Sequence, residues 1–474
     1  MVYIYELEEL DDILETLVFE DEPSIFTEQY AIEIMETALY LMDEYMINNP
    51  TIITEPDFHD ILFEDIKEIF YVQMEEQIYQ SDFVEDDLNE LLEEAFQIFI
   101  TTFYPERSLN QENIIIHESG SDISVIEEKI IGLRNIPQPV QRTPEWYQFR
   151  WNLITASNAY KAFESQSTIN QLIYEKCQPL KINNDLIDNE PNIVMVNTNT
   201  TLHWGQKYEP LSVMIYENLY KTKVEDFGCI QHPIYKFLGA SPDGINIDKN
   251  SDRYGRMLEI KNIVNREING IPKKEYWVQM QLQMEVCDLD ECDFLETKFT
   301  EYSDSTTFQN DTSSEICLDL NGNTYMNNCL SKDGKTKGII IYFHTKEGKP
   351  YYLYKPLNII SPYEIDDWEN EMLDIYENEP YNYIYMKTIY WKLDILSCVL
   401  VLRNKDWFKN NIPQLEKVWN TILTERITGY EHRAPNKKQK TDTTKSHVNS
   451  TTTQGCLLKF NKIIKVDTEA INNL

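Results

Sequence analysis

The stretch Leu238-Gly239-Ala240-Ser241-Pro242-Asp243-Gly244, followed after a polar turn by Met257-Leu258-Glu259-Ile260-Lys261, decides how the rest of the chain is read. It sets one carboxylate in a Pro-Asp-Gly turn, and a second carboxylate and a lysine on either side of one apolar residue. In a strand, side chains two apart share a face, so Glu259 and Lys261 lie together and Ile260 points into the core. A short hairpin brings Asp243 to the same place. Two carboxylates suit a hard cation such as Mg²⁺, with phosphate oxygens and water completing its octahedron. A lysine beside that cation orients an attacking water or stabilises charge developing on phosphate. The chemistry predicted is metal-dependent phosphodiester hydrolysis. A polar hairpin with a surface ion pair accounts for the same pattern, so the neighbouring motifs must separate the two readings.

At 474 residues the chain is long enough for two or three domains with a real core. A hydrophobic content of 42% and a charged content of 26% describe a mostly globular protein. The formal net charge of -38 argues against a nucleic-acid partner at first sight. The imbalance is local, however: residues 1–100 carry about thirty Asp and Glu against the single Lys67. The remainder is much closer to neutral, so the global charge does not exclude DNA from the middle of the chain. The eight cysteines are scattered and form no Cys-x-x-Cys, which predicts reduced thiols, an intracellular protein and no zinc or iron–sulfur site. The opening Met1-Val2-Tyr3-Ile4-Tyr5-Glu6 lacks the layout of a signal peptide, and no apolar run reaches the length of a membrane span.

Residues 1–105 read as an acidic helical domain, with apolar residues at three- and four-residue spacing such as Ile32, Met35, Leu39 and Met42. Its acidic surface is that of a solvated or partner-binding module, or of a mimic of DNA phosphate. Residues 106–140 read as a linker that ends in the polyproline-like Ile136-Pro137-Gln138-Pro139-Val140. A helix then begins with Thr143 as N-cap and Pro144 at its first position, and a second begins at Thr155 or Ser157. Arg150 beside that second helix start, with Thr155 and Ser157, makes an anion site. An Arg paired with a nearby acid is the equal alternative. Leu202–Leu211 opens a helix that carries Glu209, read alone as a surface acid. Residues 229–237 read as a strand. Tyr276–Met284 is a helix on which Gln279 and Gln283 share a face and Gln281 lies about 160° away. A solvated face is the commoner explanation of those glutamines. Strands follow at 292–299, 338–343, 351–354, 389–396 and 398–402, with helices at 362–378 and 406–427 and an insertion or long loop at 301–335. Residues 431–474 read as a flexible tail with the basic cluster Lys437-Lys438-Gln439-Lys440. Near its end, Gln454, Leu457 and Phe460 stand three apart, like the peptides that dock on a sliding clamp, but with Asn461 where a second aromatic is usual.

Taken in order, these stretches resemble the lambda exonuclease and YqaJ-type viral recombinase family of PD-(D/E)xK nucleases. The resemblance is carried by Arg150 with Ile154-Thr155-Ala156-Ser157, by Trp204-Gly205-Gln206-Lys207-Tyr208-Glu209, and by Ser241–Gly244 and Leu258–Lys261. The Tyr276-x-x-Gln279-x-Gln281-x-x-Met284 helix completes it. It covers residues 141–430 and departs from the family at Asn262-Ile263, where Cys-Pro is usual. It implies an α/β fold: a restriction-endonuclease-like core of mixed β-sheet flanked by helices, with the N-terminal all-α acidic domain added. It implies that Asp243, Glu259 and the carbonyl of Ile260 bind Mg²⁺ (or Mn²⁺) and that Lys261 activates water. Glu209 and Gln281 would support that site, and Arg150, Thr155 and Ser157 would hold a 5′-terminal phosphate or the backbone. The implied activity is exonucleolytic digestion of one strand of duplex DNA from its 5′ end during viral recombination, replication or repair. An endonuclease or nickase on the same fold, or a non-catalytic DNA- and clamp-binding scaffold, are the alternatives. The implied partners are double-stranded DNA, a single-strand annealing protein, a sliding clamp and copies of the chain in a ring, with no membrane. The implied location is the host cytoplasm, in a viral factory, or the nucleus.

Overall fold

The computed structural model describes residues 25–80, 82–104, 106–110, 123–141, 143–180, 197–318, 322 and 324–435. The helices are α1 (Glu28–Asn48), α2 (Phe58–Gln73), α3 (Glu75–Gln80), α4 (Asp82–Thr102), α5 (Ile123–Arg134), α6 (Pro144–Trp151), α7 (Ala156–Ala159) and α8 (Gln166–Cys177). They continue with α9 (Thr201–Tyr220), α10 (Lys274–Cys287), α11 (Ser305–Asn310), α12 (Pro362–Glu377) and α13 (Lys405–Thr428). The strands are β1 (Leu109–Asn110), β2 (Ile154–Thr155), β3 (Val224–Glu225), β4 (Ile230–Gln231), β5 (Leu238–Ala240), β6 (Gly244–Asn246) and β7 (Met257–Asn262). The rest are β8 (Glu291–Glu301), β9 (Ile316–Leu318), β10 (Thr324–Met326), β11 (Lys337–His344), β12 (Pro350–Tyr354) and β13 (Ile384–Leu402).

The central sheet has eight strands in the order β12-β11-β13-β8-β7-β6-β3, with β1 added to β13. The β7–β8 pair is parallel and every other neighbouring pair is antiparallel, so the sheet is mixed. The parallel pair needs a crossover, and α10 supplies it between β7 and β8. A small sheet, β2-β5-β4, stands beside it, with β2 parallel to β5 in the register Ile154↔Leu238 and Thr155↔Gly239. Gly239 is required there. A Cβ on it would stand 2.6 Å from Leu153 Cδ1 and 3.1 Å from the Ile230 carbonyl oxygen.

Flanking helices cover the sheet, as the α/β expectation required. Buried Trp277, Val278, Met280, Leu282 and Met284 seat α10, and Trp407, Leu415, Val418 and Ile422 seat α13. The two expected strands at 389–396 and 398–402 are one strand, β13, whose register shifts between Leu393 and Ile395 opposite β8. That irregularity lies close to the break read from the sequence. The expected strand at 229–237 is only the two residues of β4. His232 ends it by accepting, through Nδ1, from the backbone N–H groups of Ile234 and Tyr235. The stretch 301–335 holds α11 and the β9–β10 hairpin.

Four acidic helices, α1 to α4, build a core from residues such as Ala38, Met42, Phe58, Leu62, Leu88 and Phe99, all 0–1% exposed. Arg107 ties them to the sheet-bearing part. Its guanidinium is buried and donates to the carbonyls of Ile53 (2.8 Å), Thr54 (3.0 Å) and Pro272 (2.9 Å). Residues up to Ala434 group into one compact unit, and 435–474 into a second of which only Pro435 is described. The clamp-like Gln454, Leu457 and Phe460 and the basic cluster from Lys437 lie outside the described residues. No helix among the described residues is long and apolar enough to cross a membrane, and the seven described cysteines are free thiols.

Candidate active site

The hairpin expected around Asp243 is present. β6 and β7 are antiparallel with Gly244 opposite Leu258, and a Cβ on Gly244 would stand only 2.1 Å from Val224 Cγ1 of the next strand. This close approach packs β6 against β3, and the β6–β7 pairing on its other side brings the Ser-Pro-Asp-Gly turn to β7. The Asp243 carboxylate accepts at 2.7 Å from the backbone N–H of Ile260, the residue between Glu259 and Lys261. Ile260 is buried on the other face, as the strand alternation predicts.

Glu259 is fully buried and its carboxylate is fixed on both oxygens. Oε1 accepts from the Lys261 ammonium and from Gln279 Nε2 at 2.7 Å. Oε2 accepts from Gln283 Nε2 at 2.7 Å. Burial pushes the Asp243 carboxyl well above the ordinary carboxylate range, with the Glu259 charge adding to the shift and Glu209 contributing. Burial works against the charge on Lys261. Glu259 and then Asp243 outweigh it, and the ammonium is held above the ordinary lysine range. Lys261 also lies 4.9 Å from the centroid of Tyr276, a ring it shares with Arg266 at 5.6 Å. Arg266 in turn pairs with the buried Glu296 on β8, the register partner of Lys261.

Two adjacent carboxylates, Glu259 fully buried and Asp243 half-buried with its carboxyl pushed up beside the Glu259 charge, are what a small hard cation relieves, so this donor set fits a divalent metal. No cluster of three or more His, Cys, Asp or Glu side chains suited to a metal occurs among the described residues.

Glu209 is exposed on α9, and its charge reaches Asp243. α9 is locked to β7 by Asn262, the residue that departs from the family pattern. Asn262 donates to the Gly205 carbonyl at 3.1 Å, and its Oδ1 accepts from Ser212 and Thr297, each at 2.7 Å. Gln281 is a correction. It lies on the far side of α10, where Nε2 donates to the Leu402 carbonyl at 2.8 Å and Oε1 accepts from the Asn404 N–H at 2.7 Å. Helical spacing is the reason: Gln279 and Gln283, one turn apart, face Glu259, and Gln281 cannot. Gln281 and Gln283 are buried rather than on a solvated face, with Gln283 at 0% exposure, and Gln279 is half-buried.

The parallel β2–β5 pairing sets the start of α7 beside the Ser241 turn. Arg150 Nη1 donates to Ser241 Oγ at 3.3 Å and to Cys229 Sγ at 3.8 Å, and the guanidinium stacks 4.7 Å above Trp146. None of these partners is a carboxylate, contrary to the bland alternative of an Arg–acid pair. Thr155 is buried and its hydroxyl meets that of the exposed Ser157 at 3.3 Å. α7 is only four residues long, so its dipole adds little, and Arg150 is the main source of positive charge.

Lys176 and Arg426, not identified from the sequence, enlarge that positive region. Lys176 donates to the Arg150 carbonyl at 3.0 Å. Burial, then the neighbouring Arg150 and Arg426, lower its pKa to about 8. Arg426 stacks 3.4 Å from Trp151 and donates to the Trp151 and Lys176 carbonyls, both at 2.8 Å.

Residues 145–290 match the YqaJ-like viral recombinase domain. Uncharacterized protein R354 of Acanthamoeba polyphaga mimivirus is 28% identical over 347 residues, which are 68% of this chain. The chain spans 58% of that relative's length. Among solved structures, an alkaline exonuclease from Laribacter hongkongensis is similar at 17% identity and a TM-score of 0.30, over 61% of this chain and 95% of that one. The same enzyme in complex with dAMP gives the same values. The matched residues 145–290 run through Arg150, Glu209, the Asp243 turn, β7 and the whole of α10, so the part of the chain that resembles the YqaJ-like viral recombinase domain is the part that builds this site.

Proposed function

We propose that the chain is a divalent-metal-dependent deoxyribonuclease that digests one strand of duplex DNA from a 5′ end. The single observation that carries the reading is the convergence of Asp243, Glu259 and Lys261 on one hairpin, with Glu259 fixed from both sides by amide donors. Asp243 and Glu259, with the Ile260 carbonyl, hold Mg²⁺ or Mn²⁺. When bound, such a cation polarises a phosphoryl oxygen and lowers the pKa of bound water. Lys261 positions the attacking water and stabilises charge on the phosphoryl group. Arg150, Ser157 and Ser241 take the terminal phosphate, which sets the scissile bond at the carboxylates. Glu209 adds negative charge near Asp243 and tightens the hold on a cation.

The test uses full-length protein with end-labelled linear duplex and closed circular duplex, in Mg²⁺ or EDTA. Digestion of the linear form only, abolished by EDTA, is expected. Nicking of the circle makes it an endonuclease. Inertness on both makes it a binding scaffold.

A further inference from the structure

We propose that Gln283 is a positioning residue that couples the phosphate-binding side of the site to its carboxylate side. The inference rests on the nuclease reading above. Gln283 is fully buried on α10, one turn after Gln279. Its amide nitrogen donates twice, to Glu259 Oε2 at 2.7 Å and to the Ser241 carbonyl at 3.2 Å. Ser241 is the residue whose hydroxyl receives Arg150, and it opens the turn that carries Asp243. One amide therefore fixes the orientation of a buried carboxylate and the position of the turn between Arg150 and Asp243.

Gln279 makes a useful contrast. It donates to the other oxygen of Glu259, and among the described hydrogen bonds only Gln283 joins Glu259 to Ser241. The Gln283 Oε1 atom is buried and accepts from no donor among the described residues. An unmet buried acceptor is unfavourable, so the side chain is held in place by what its nitrogen does. An anion that draws on Arg150 and Ser241 changes the load on the same carbonyl-bearing turn that Gln283 ties to Glu259. Occupancy of the phosphate side then sharpens the geometry of the carboxylate side.

The experiment compares wild type with Gln283→Met, which keeps the volume and loses the donor, and with Gln279→Met. The readouts are the ratio of kcat/KM on 5′-phosphorylated and 5′-hydroxyl linear duplex, and Ca²⁺ affinity by calorimetry without DNA. Losing a residue that orients a metal ligand costs about tenfold in metal affinity, so both variants are expected to weaken Ca²⁺ by that order. Only Gln283→Met is expected to lower the phosphate preference, by about tenfold. Gln283→Asn, too short to span both acceptors, carries the same expectation if the methionine variant fails to fold. A Gln283 variant with the wild-type ratio, a Gln279 variant that shifts the ratio equally, or a wild type without the preference overturns the proposal. A wild type that neither cleaves linear duplex nor binds Ca²⁺ overturns the nuclease reading and this coupling together.

Discussion

Arg150 has a stacked aromatic and two neutral acceptors around it, in a chain of formal net charge -38. A guanidinium with no carboxylate partner among the described residues is available to an anion. Arg150→Ala is therefore expected to slow cleavage of 5′-phosphorylated duplex about a hundredfold and 5′-hydroxyl duplex far less, since charge-assisted contacts contribute roughly 2–3 kcal/mol each. Steady-state kinetics on the two substrates check this, and equal losses would remove Arg150 from end recognition. Lys176 adds a pH dependence. With its pKa lowered to about 8, it is charged below that pH and neutral above it. Binding of the terminal phosphate is expected to weaken as pH rises through about 8, and Lys176→Met should flatten that profile. For folding the sign is the reverse. A lysine with a lowered folded pKa destabilises the fold while charged, and that cost is relieved as pH rises from about 8 toward the unfolded value. Asp243, Glu259, Lys261 and Arg150 were legible as single residues because their chemistry is written in their types and spacing. Gln283 was not given its role, since the resemblance pointed to Gln281. The i, i+4 relation to Gln279 was the available signal. Lys176 and Arg426 were not legible at all, because only tertiary packing brings α8 and α13 to Arg150.

At the level of elements, the hairpin, α6 with its Thr143 cap, and α9, α10, α12 and α13 were readable from local signals such as caps, alternation and helical spacing. What was not readable depends on pairing across the chain. β13 is one strand because β8 and β11 bracket it on both sides, and β4 is short because the His232 turn interrupts it. The stretch after residue 105 carries more than a connection. β1 pairs with Leu400 and Val399 of β13, and the buried Arg107 reaches the carbonyls of Ile53, Thr54 and Pro272. Trp277 of α10 donates to the Arg107 carbonyl at 3.2 Å, so the same residue touches the glutamine helix. Arg107→Met would leave three buried carbonyls without their donor. It is expected to destabilise the protein by roughly 2–4 kcal/mol, measured by urea unfolding. A midpoint unchanged from wild type would show that the acidic helices and the sheet are held together by other contacts.

For the whole molecule, the two charge regimes read from the sequence are laid out on distinct parts of the fold. The acidic residues cover α1 to α4, and the positive region around Arg150, Lys176 and Arg426 gathers where α6, α8 and α13 meet the β2–β5 pair. The α/β architecture and its mixed sheet were legible through the resemblance, and the local signals placed most of the strands and helices. The register that places Ser241 beside Arg150 came only from the structure. The most direct measurement of the central claim is time-resolved release of label from linear duplex labelled at the 5′ or the 3′ end, in Mg²⁺, by wild type and Asp243→Ala. The account predicts immediate release of the 5′ label by the wild type, delayed release of the 3′ label, and at least a thousandfold loss in the variant, about what removing a central transition-state contact costs, with its melting temperature preserved. Undiminished release of label by Asp243→Ala would contradict it.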